Sequence, residues 1–284
     1  MYSKKTFKAP AKINLCLHVL GRYANGYHKL AMAMQRVDLY DDIQIESVQQ
    51  PGIRVVCPGI PSAMGEKNIA ALAAQLFLEK AQINIGLNIN IKKRIPIAAG
   101  LGGGSSDAAT VLLGLSDLLG VDLGEDQLYE LGRSLGADVP FFIFQKPAWA
   151  TGTGTTLELL PNLPEVAYLL VNPGIAVSTA DVYRSLQLTK GVELANLPRF
   201  SVVTREDLCA ALHNDLESVT LQRFPLIEKI KQRLLGLGAS GALMSGSGST
   251  VFGVYADYSA ASRAAETLAA ETDWLVYPVR PILN

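Results

Sequence analysis

Charge is scarce in this chain of 284 residues: charged side chains make up 18% of it, and 25 Lys and Arg stand against 26 Asp and Glu. The formal net charge of −1 gives no global basic field of the kind that holds nucleic acid or anionic lipid without specificity. Any phosphate must therefore be held locally. Cysteine is sparse too. Cys16, Cys57 and Cys209 are far apart, odd in number and show neither a CxxC pair nor zinc-site spacing, so a disulfide framework is excluded and a reducing compartment is expected. No apolar run reaches the ~18 residues of a membrane span. The N-terminal MYSKKTFKAPAKINL has basic residues but no apolar segment or cleavage signal after them, so the expectation is a soluble, cytoplasmic protein. Low-complexity tracts and internal repeats are missing as well, and a hydrophobic content of 49% excludes long disordered tails.

What is present is enough chain for two domains or one large one, at close to twice the roughly 150 residues of a common domain. From Ile13 to Val19 apolar residues alternate with Asn14, Cys16 and His18, the period of a half-buried strand. Runs at Ile43–Val48, Ile53–Val56 and Leu87–Ile91 also predict strands, and the first half reads as rich in antiparallel pairing. Ile69, Leu72, Ala73, Leu76 and Phe77 recur at helical spacing behind Asn68, a good N-cap. A helix is expected just past the glycines of PIAAGLGGGSSDAATVLLGL, and another across Leu128, Leu131 and Leu135, ended by Gly136. Pro140 then marks the start of an extended run.

The segment KPAWATGTGTTLELLPNLP reads as a domain boundary near residue 150 or as a strand hairpin. The second half offers a strand at Val166–Val171, a helix capped by Ser178, a helix through Phe224, Ile227, Ile230 and Leu234, a strand at Val251–Tyr255 and a last helix after Ser259. Strands and helices without a regular βαβα repeat predict an α+β fold in both halves, 1–150 and 151–284.

The strongest chemical signal is Gly100, Gly102, Gly103, Gly104, Ser105 and Ser106 ahead of a helix. Glycines let the backbone approach a ligand, and a helix N-terminus offers unpaired N–H groups and partial positive charge, which suits phosphate. A flexible turn with a serine cap is the competing reading of the same residues. There is no GxxxxGKS or GxxxxGKT, HRD, DFG, GxSxG or HExxH, which removes P-loop, protein-kinase, serine-hydrolase and zinc-protease readings. The GxGxxG at Gly236, Gly238 and Gly241 follows a helix and reads as its C-terminal cap. A second Gly/Ser loop, Ser245–Thr250, precedes the Val251 strand and is either a hairpin turn or a second wall on a ligand. Lys12 and Asp138 are candidates for acid–base and charge-stabilising work, and spacing alone does not pair them. His28 follows Gly26 and Tyr27 in an expected turn, where an exposed loop histidine is the competing reading.

PAKINL at Pro10–Leu15, PIAAGLGGGSSDAA at Pro96–Ala109 and SGSGST at Ser245–Thr250 resemble, in order and separation, the three motifs of the GHMP small-molecule kinases. GYH at Gly26–His28 and LGADVPFF at Leu135–Phe142 resemble the branch of that family that acts on a cytidine diphosphate-linked methylerythritol in isoprenoid precursor biosynthesis. The resemblance implies two α+β domains of the GHMP kinase type with the active site in the cleft between them, and phosphorylation of the polyol 2-hydroxyl with ATP and Mg²⁺. It implies Asp138 as catalytic base and Lys12 as its partner. The ATP phosphates would be cradled by Pro96, Ala98, Ala99, Gly100, Leu101, Gly102, Gly103, Gly104, Ser105 and Ser106, with Asn68 near the adenine. On the acceptor, Tyr27 and His28 would hold the cytosine, Tyr183 would form a second aromatic wall, Asn14 would reach the polyol, and Ser247 and Gly248 would close the far side. Ser106 is the one magnesium ligand the motif offers, and no acid is matched to it. Where related kinases can place a further aromatic after GYH, this chain has Met32 and Met34. The alternatives are a GHMP kinase acting on mevalonate, homoserine or a sugar, which GYH and GADVP oppose, and a noncatalytic nucleotide-binding regulator. A small-molecule substrate is expected, with no nucleic-acid or membrane partner; the sequence does not disclose the oligomeric state.

Overall fold

The structure is a computed structural model that describes residues 3–59, 68–187, 194, 197 and 200–283. Its contacts divide the chain into two units. The first comprises Met1–Ala11, Leu39–Ile95 and Gly102–Gln145, and the second Lys12–Asp38, Pro96–Leu101 and Lys146–Asn284. The units are thus interleaved along the chain, where a single boundary near residue 150 would make them successive.

Two long strands open the chain, β1 (Lys4–Arg22) and β2 (His28–Val48), followed by β3 (Gly52–Val56), helix α1 (Ile69–Ala81) and β4 (Gly86–Lys92). In the first unit the sheet order is β3-β4-β2-β1. The β2–β4 pairing is antiparallel, with Ile43 opposite Ile91, while β3 runs parallel to β4, an exception to the expected antiparallel half. Helices α2 (Gly103–Leu119), α3 (Glu125–Leu135) and α4 (Val139–Phe144) complete this unit. Gly114 lets α2 sit close on the sheet: a Cβ there would lie 2.9 Å from Phe7 and 3.1 Å from Ile45. The fully buried Ile43, Ile45, Phe77, Val111, Leu112 and Leu115 form its core. Each such side chain contributes roughly 1.5–3 kcal/mol by leaving water.

The extended run predicted from Pro140 is instead α4. A short apolar stretch rich in Phe and Ile does not distinguish strand from helix by periodicity, and Pro in a first turn has its φ already set for a helix. Likewise α2 begins at Gly103, inside the glycines, so Gly103 to Ser106 are its first turn and the loop proper ends at Gly102, whose φ of +68° is left-handed.

The second unit holds the rest of β1 and β2 with β5 (Ala148–Gly152), β6 (Thr156–Leu159), the two-residue β8 (His213–Asn214) and the terminal β12 (Pro281–Ile282). β5 and β6 form the hairpin that the 146–164 segment offered as one of its readings. A second sheet has the order β11-β7-β10-β9, with β7 (Ala167–Asn172), β9 (Gly241–Met244), β10 (Val251–Tyr255) and β11 (Leu275–Val279). Around these lie α5 (Thr179–Ser185), α6 (Arg205–Ala211), α7 (Glu217–Arg223), α8 (Pro225–Gly236) and α9 (Tyr258–Glu271). The predicted caps at Asn68 and Ser178 both form, each oxygen accepting a backbone N–H. Of the GxGxxG glycines, Gly236 is the last residue of α8, Gly238 at φ +90° lies in the turn that ends the helix, and Gly241 opens β9.

Candidate active site

β1 departs from a half-buried strand at the residues that matter. Lys12 and Asn14 are 4% and 0% exposed and Cys16 is 1% exposed, so both faces of this stretch are covered. Lys12 Nζ donates to Asn14 Oδ1 at 2.5 Å, and the Asn14 amide donates weakly to Met32 Sδ at 3.6 Å. A buried ammonium needs such polar company, since its desolvation is otherwise costly. Met32 therefore lies against the side chain expected to reach the polyol, while Met34 is wholly buried in the core.

Within the second unit the segment 96–101 and the Gly/Ser loop 245–250 are joined directly. Ser245 Oγ donates to Gly100 O at 3.0 Å and accepts from Asn14 N–H at 3.3 Å, while Thr250 N–H donates to Ala99 O and Lys12 N–H to Leu101 O. Gly100 is required here: at φ +77° a Cβ would fall 2.0 Å from Ser245 O. The loop 245–250 is indeed the turn of the β9–β10 hairpin, yet every residue in it is buried. Its backbone is held from a distance: Asn214 donates to Met244 O and Gly246 O at 2.8 Å each, and Thr220 to Ser247 O at 3.2 Å. Ser247 Oγ meets Thr179 Oγ at 2.7 Å, and Gly248 is packed against Met244 and Thr220. Asn214 and Thr220 carried no signal in the sequence, lying at least 27 residues from the loop groups they hold.

Also in this unit, Arg22 lies against His28 and Tyr183. His28 and Tyr183 have ring centroids 4.7 Å apart; Arg22 donates to His28 Nε2 at 2.9 Å and to Tyr183 O at 3.1 Å. Partial burial, then the Arg22 charge, holds His28 below its ordinary pKa, so it is neutral with Nε2 as acceptor and a proton on Nδ1. Tyr27 is 64% exposed, a free aromatic face beside that pair in sequence. Arg22 was missed, although it ends β1 four residues before the GYH segment.

In the first unit, the α2 N-terminus exposes Gly104 with the amides of a first turn that have no partner inside a helix. Asn68 caps α1, accepting from Ala70 N–H at 2.9 Å, and is exposed; Ile69 beside it lies within 3.8 Å of where a Gly104 Cβ would stand. Ser105 Oγ lies 4.0 Å from the equivalent point on Gly136, which places the first turn of α2 next to the turn that carries Asp138, the residue heading α4. Pro96 and Ala98 lie before the loop in the second unit, Ala98 in left-handed backbone at φ +52°.

A buried ionic group below this turn was not foreseen. Lys93 donates to Asp107 Oδ2 at 2.7 Å and to Asp41, whose Oδ1 accepts the N–H groups of Arg94 and Ile95. Burial pushes the Asp107 carboxyl up to about 7 against the pull of Lys93. Burial opposes the Lys93 charge, but Asp107 and Asp41 hold it above the ordinary lysine value. A proton on Asp107 removes one negative charge from beneath the first turn of α2, and its loss restores that charge. Two buried polar atoms of this turn have no hydrogen-bond partner among the described residues, Ser106 Oγ and Asp107 Oδ1. A wholly buried hydroxyl left so is costly unless a ligand or ion completes it.

The chain matches the sequence profile of the GHMP kinases N terminal domain over residues 68–146 and that of the GHMP kinases C terminal over 196–272. It is 58% identical, over 98% of its own length and 99% of the other's, to a 4-diphosphocytidyl-2-C-methyl-D-erythritol kinase of Syntrophotalea carbinolica. Among solved structures it is similar to a 4-(cytidine 5'-diphospho)-2C-methyl-D-erythritol kinase, with TM-score 0.83 and 38% identity over 97% of this chain and 99% of that one. It also shares its fold with a homoserine kinase from Cytophaga hutchinsonii, at TM-score 0.74 and 18% identity over 99% of this chain and 95% of that one.

Proposed function

The chain belongs to the GHMP kinase family, and from that premise we propose that it transfers the γ-phosphoryl group of ATP to the 2-hydroxyl of 4-diphosphocytidyl-2-C-methyl-D-erythritol. The observation that carries this reading is a relation to kinases of that one acceptor running the length of both chains, with GYH and GADVP both present. The homoserine kinase shares the fold at too low an identity to argue for its acceptor.

Phosphoryl transfer asks a protein mainly for positioning and charge stabilisation. The amides of Gly103, Gly104 and Ser105, on a partly positive helix end, suit the ATP phosphates, and Asn68 suits the adenine end. Lys12, held by Asn14, supplies positive charge where negative charge develops. Asp138 orients the acceptor hydroxyl and takes its proton. A neutral His28 presents an Nδ1–H donor to a cytosine acceptor atom, with Tyr27 and Tyr183 as stacking faces. Ser106 Oγ, buried and without a partner, fits a hard cation such as Mg²⁺, which when bound neutralises phosphate charge. The cysteines, all free thiols, suit the cytoplasm, which we propose as its compartment. Among the described residues no helix is long and apolar enough to cross a membrane.

The test is ADP release with ATP and Mg²⁺, offering the cytidine-linked acceptor, mevalonate, homoserine and galactose in parallel. Turnover is expected with the first alone, falling about 10²–10⁴-fold in Asp138→Ala as for loss of a general base. Turnover on another acceptor instead overturns the proposed substrate, and full activity in Asp138→Ala overturns the assigned base.

A further inference from the structure

Away from these residues, the described part of the second unit gathers two imidazoles and a carboxylate: His18 on β1, His213 on β8, and Asp215 just after it. The cause is topological. β8 pairs in parallel with β1, setting His213 opposite Cys16 and Asn214 opposite Leu17, which draws the segment after Asn214 alongside His18 and Val19. The two imidazole rings stack with centroids 4.4 Å apart and planes 15° from parallel. Asp215 Oδ1 lies 2.6 Å from His213 Nε2, while its Oδ2 accepts from Val19 N–H at 2.6 Å and its own N–H donates to Leu17 O at 3.0 Å. The carboxylate is therefore fixed by the backbone of the very strand that carries His18.

One ligand atom from each residue lies within 4.8 Å of the others. A tetrahedral ion with bonds of about 2.0–2.1 Å has ligand–ligand edges of roughly 3.4 Å, a gap that small rotations of two imidazole side chains close. His213 is exposed and His18 and Asp215 are half-buried, which leaves an entry path and room for a water.

We propose that His18, His213 and Asp215 form a binding site for a transition-metal dication of the Zn²⁺ type. Imidazole nitrogen selects zinc, copper, nickel or cobalt over the hard, oxygen-seeking Mg²⁺. Three protein ligands leave a fourth position to water, the pattern of an accessible site as opposed to a closed structural one. A bound ion would clip β8 to β1, cross-linking segments nearly 200 residues apart in sequence that the two-residue ladder and the hydrogen bonds of Asp215 already bring together. The inference does not depend on the kinase reading.

The experiment uses the full, untagged chain stripped of metal, titrated with Zn²⁺ by calorimetry and with Co²⁺ as a spectroscopic probe. One equivalent of Zn²⁺ is expected to bind, Co²⁺ to give visible ligand-field absorption, and Zn²⁺ to raise the unfolding temperature. His18→Gln, His213→Gln and Asp215→Asn should each weaken binding by more than the roughly 10- to 100-fold that follows loss of a mere outer partner. The amide of Asp215→Asn can still accept from Val19 N–H, so that variant separates loss of the ligand from loss of the fold. Failure to bind a stoichiometric equivalent overturns the proposal, and so does binding that these three substitutions leave unchanged but substitution of Cys57 or Cys209 removes.

Discussion

Lys12 shows how much a single position owes to its surroundings. As a lysine in a strand it would ordinarily be solvated; here it is almost fully buried, with Asn14 at hydrogen-bond distance two residues along the same face. The motif made both residues legible, because alternation places them together, but burial of both strand faces was not. The Lys93–Asp41–Asp107 triad is the opposite case, for its members are 14 and 52 residues apart and only the fold joins them. It carries a prediction. Asp107 has an ordinary carboxyl value of 3.8 and is pushed up to about 7 in the fold, so the folded chain holds this proton more tightly than the unfolded one. Its contribution to stability is present in full below about pH 4 and is lost as pH rises through 7. Urea unfolding measured across that window should show the loss, and Asp107→Asn should flatten it; an unchanged slope in the variant would place the titration elsewhere.

Among the elements, capped helices were the most readable. Asn68 and Ser178 announce α1 and α5 because a cap is a local bond between near neighbours. α4 falls where an extended run was expected from Pro140, because its six residues are too few to show a period; the helix packs against α2 and α3. The joined pair of loops at 96–101 and 245–250 makes Gly100 the point of closest approach between two segments far apart in sequence. Gly100→Ala should cost about 2–5 kcal/mol in chemical denaturation, since the new methyl meets backbone that has to shift and the φ of +77° adds left-handed strain. Gly238→Ala, at φ +90° with open space around it, should cost only the left-handed strain of about 1–2 kcal/mol and leave ATP turnover intact. Equal effects of the two on turnover would mean that the contact of Gly100 with Ser245 has no bearing on the site.

For the whole molecule, ligand binding is read through stability. ATP with Mg²⁺ at about 100 times its dissociation constant should stabilise the chain by about 2.7 kcal/mol, read as a raised unfolding midpoint. Asp138→Ala should keep that shift while losing turnover; a variant that loses both would make Asp138 a nucleotide-binding residue and not the proton acceptor. What the sequence by itself determined is the set of local chemistries and the family they belong to. A glycine-rich turn ahead of a helix, an alternating Lys-Ile-Asn strand and the GYH and GADVP segments each depend on a few adjacent residues, and their order along the chain is itself information. Only the tertiary structure decided that the units are interleaved, that Ser245 closes on Gly100 across 145 residues, and that His18 meets His213 and Asp215. Those contacts are set by strand pairing and burial over long loops, and no local pattern of residues encodes which distant partner a buried polar group will find.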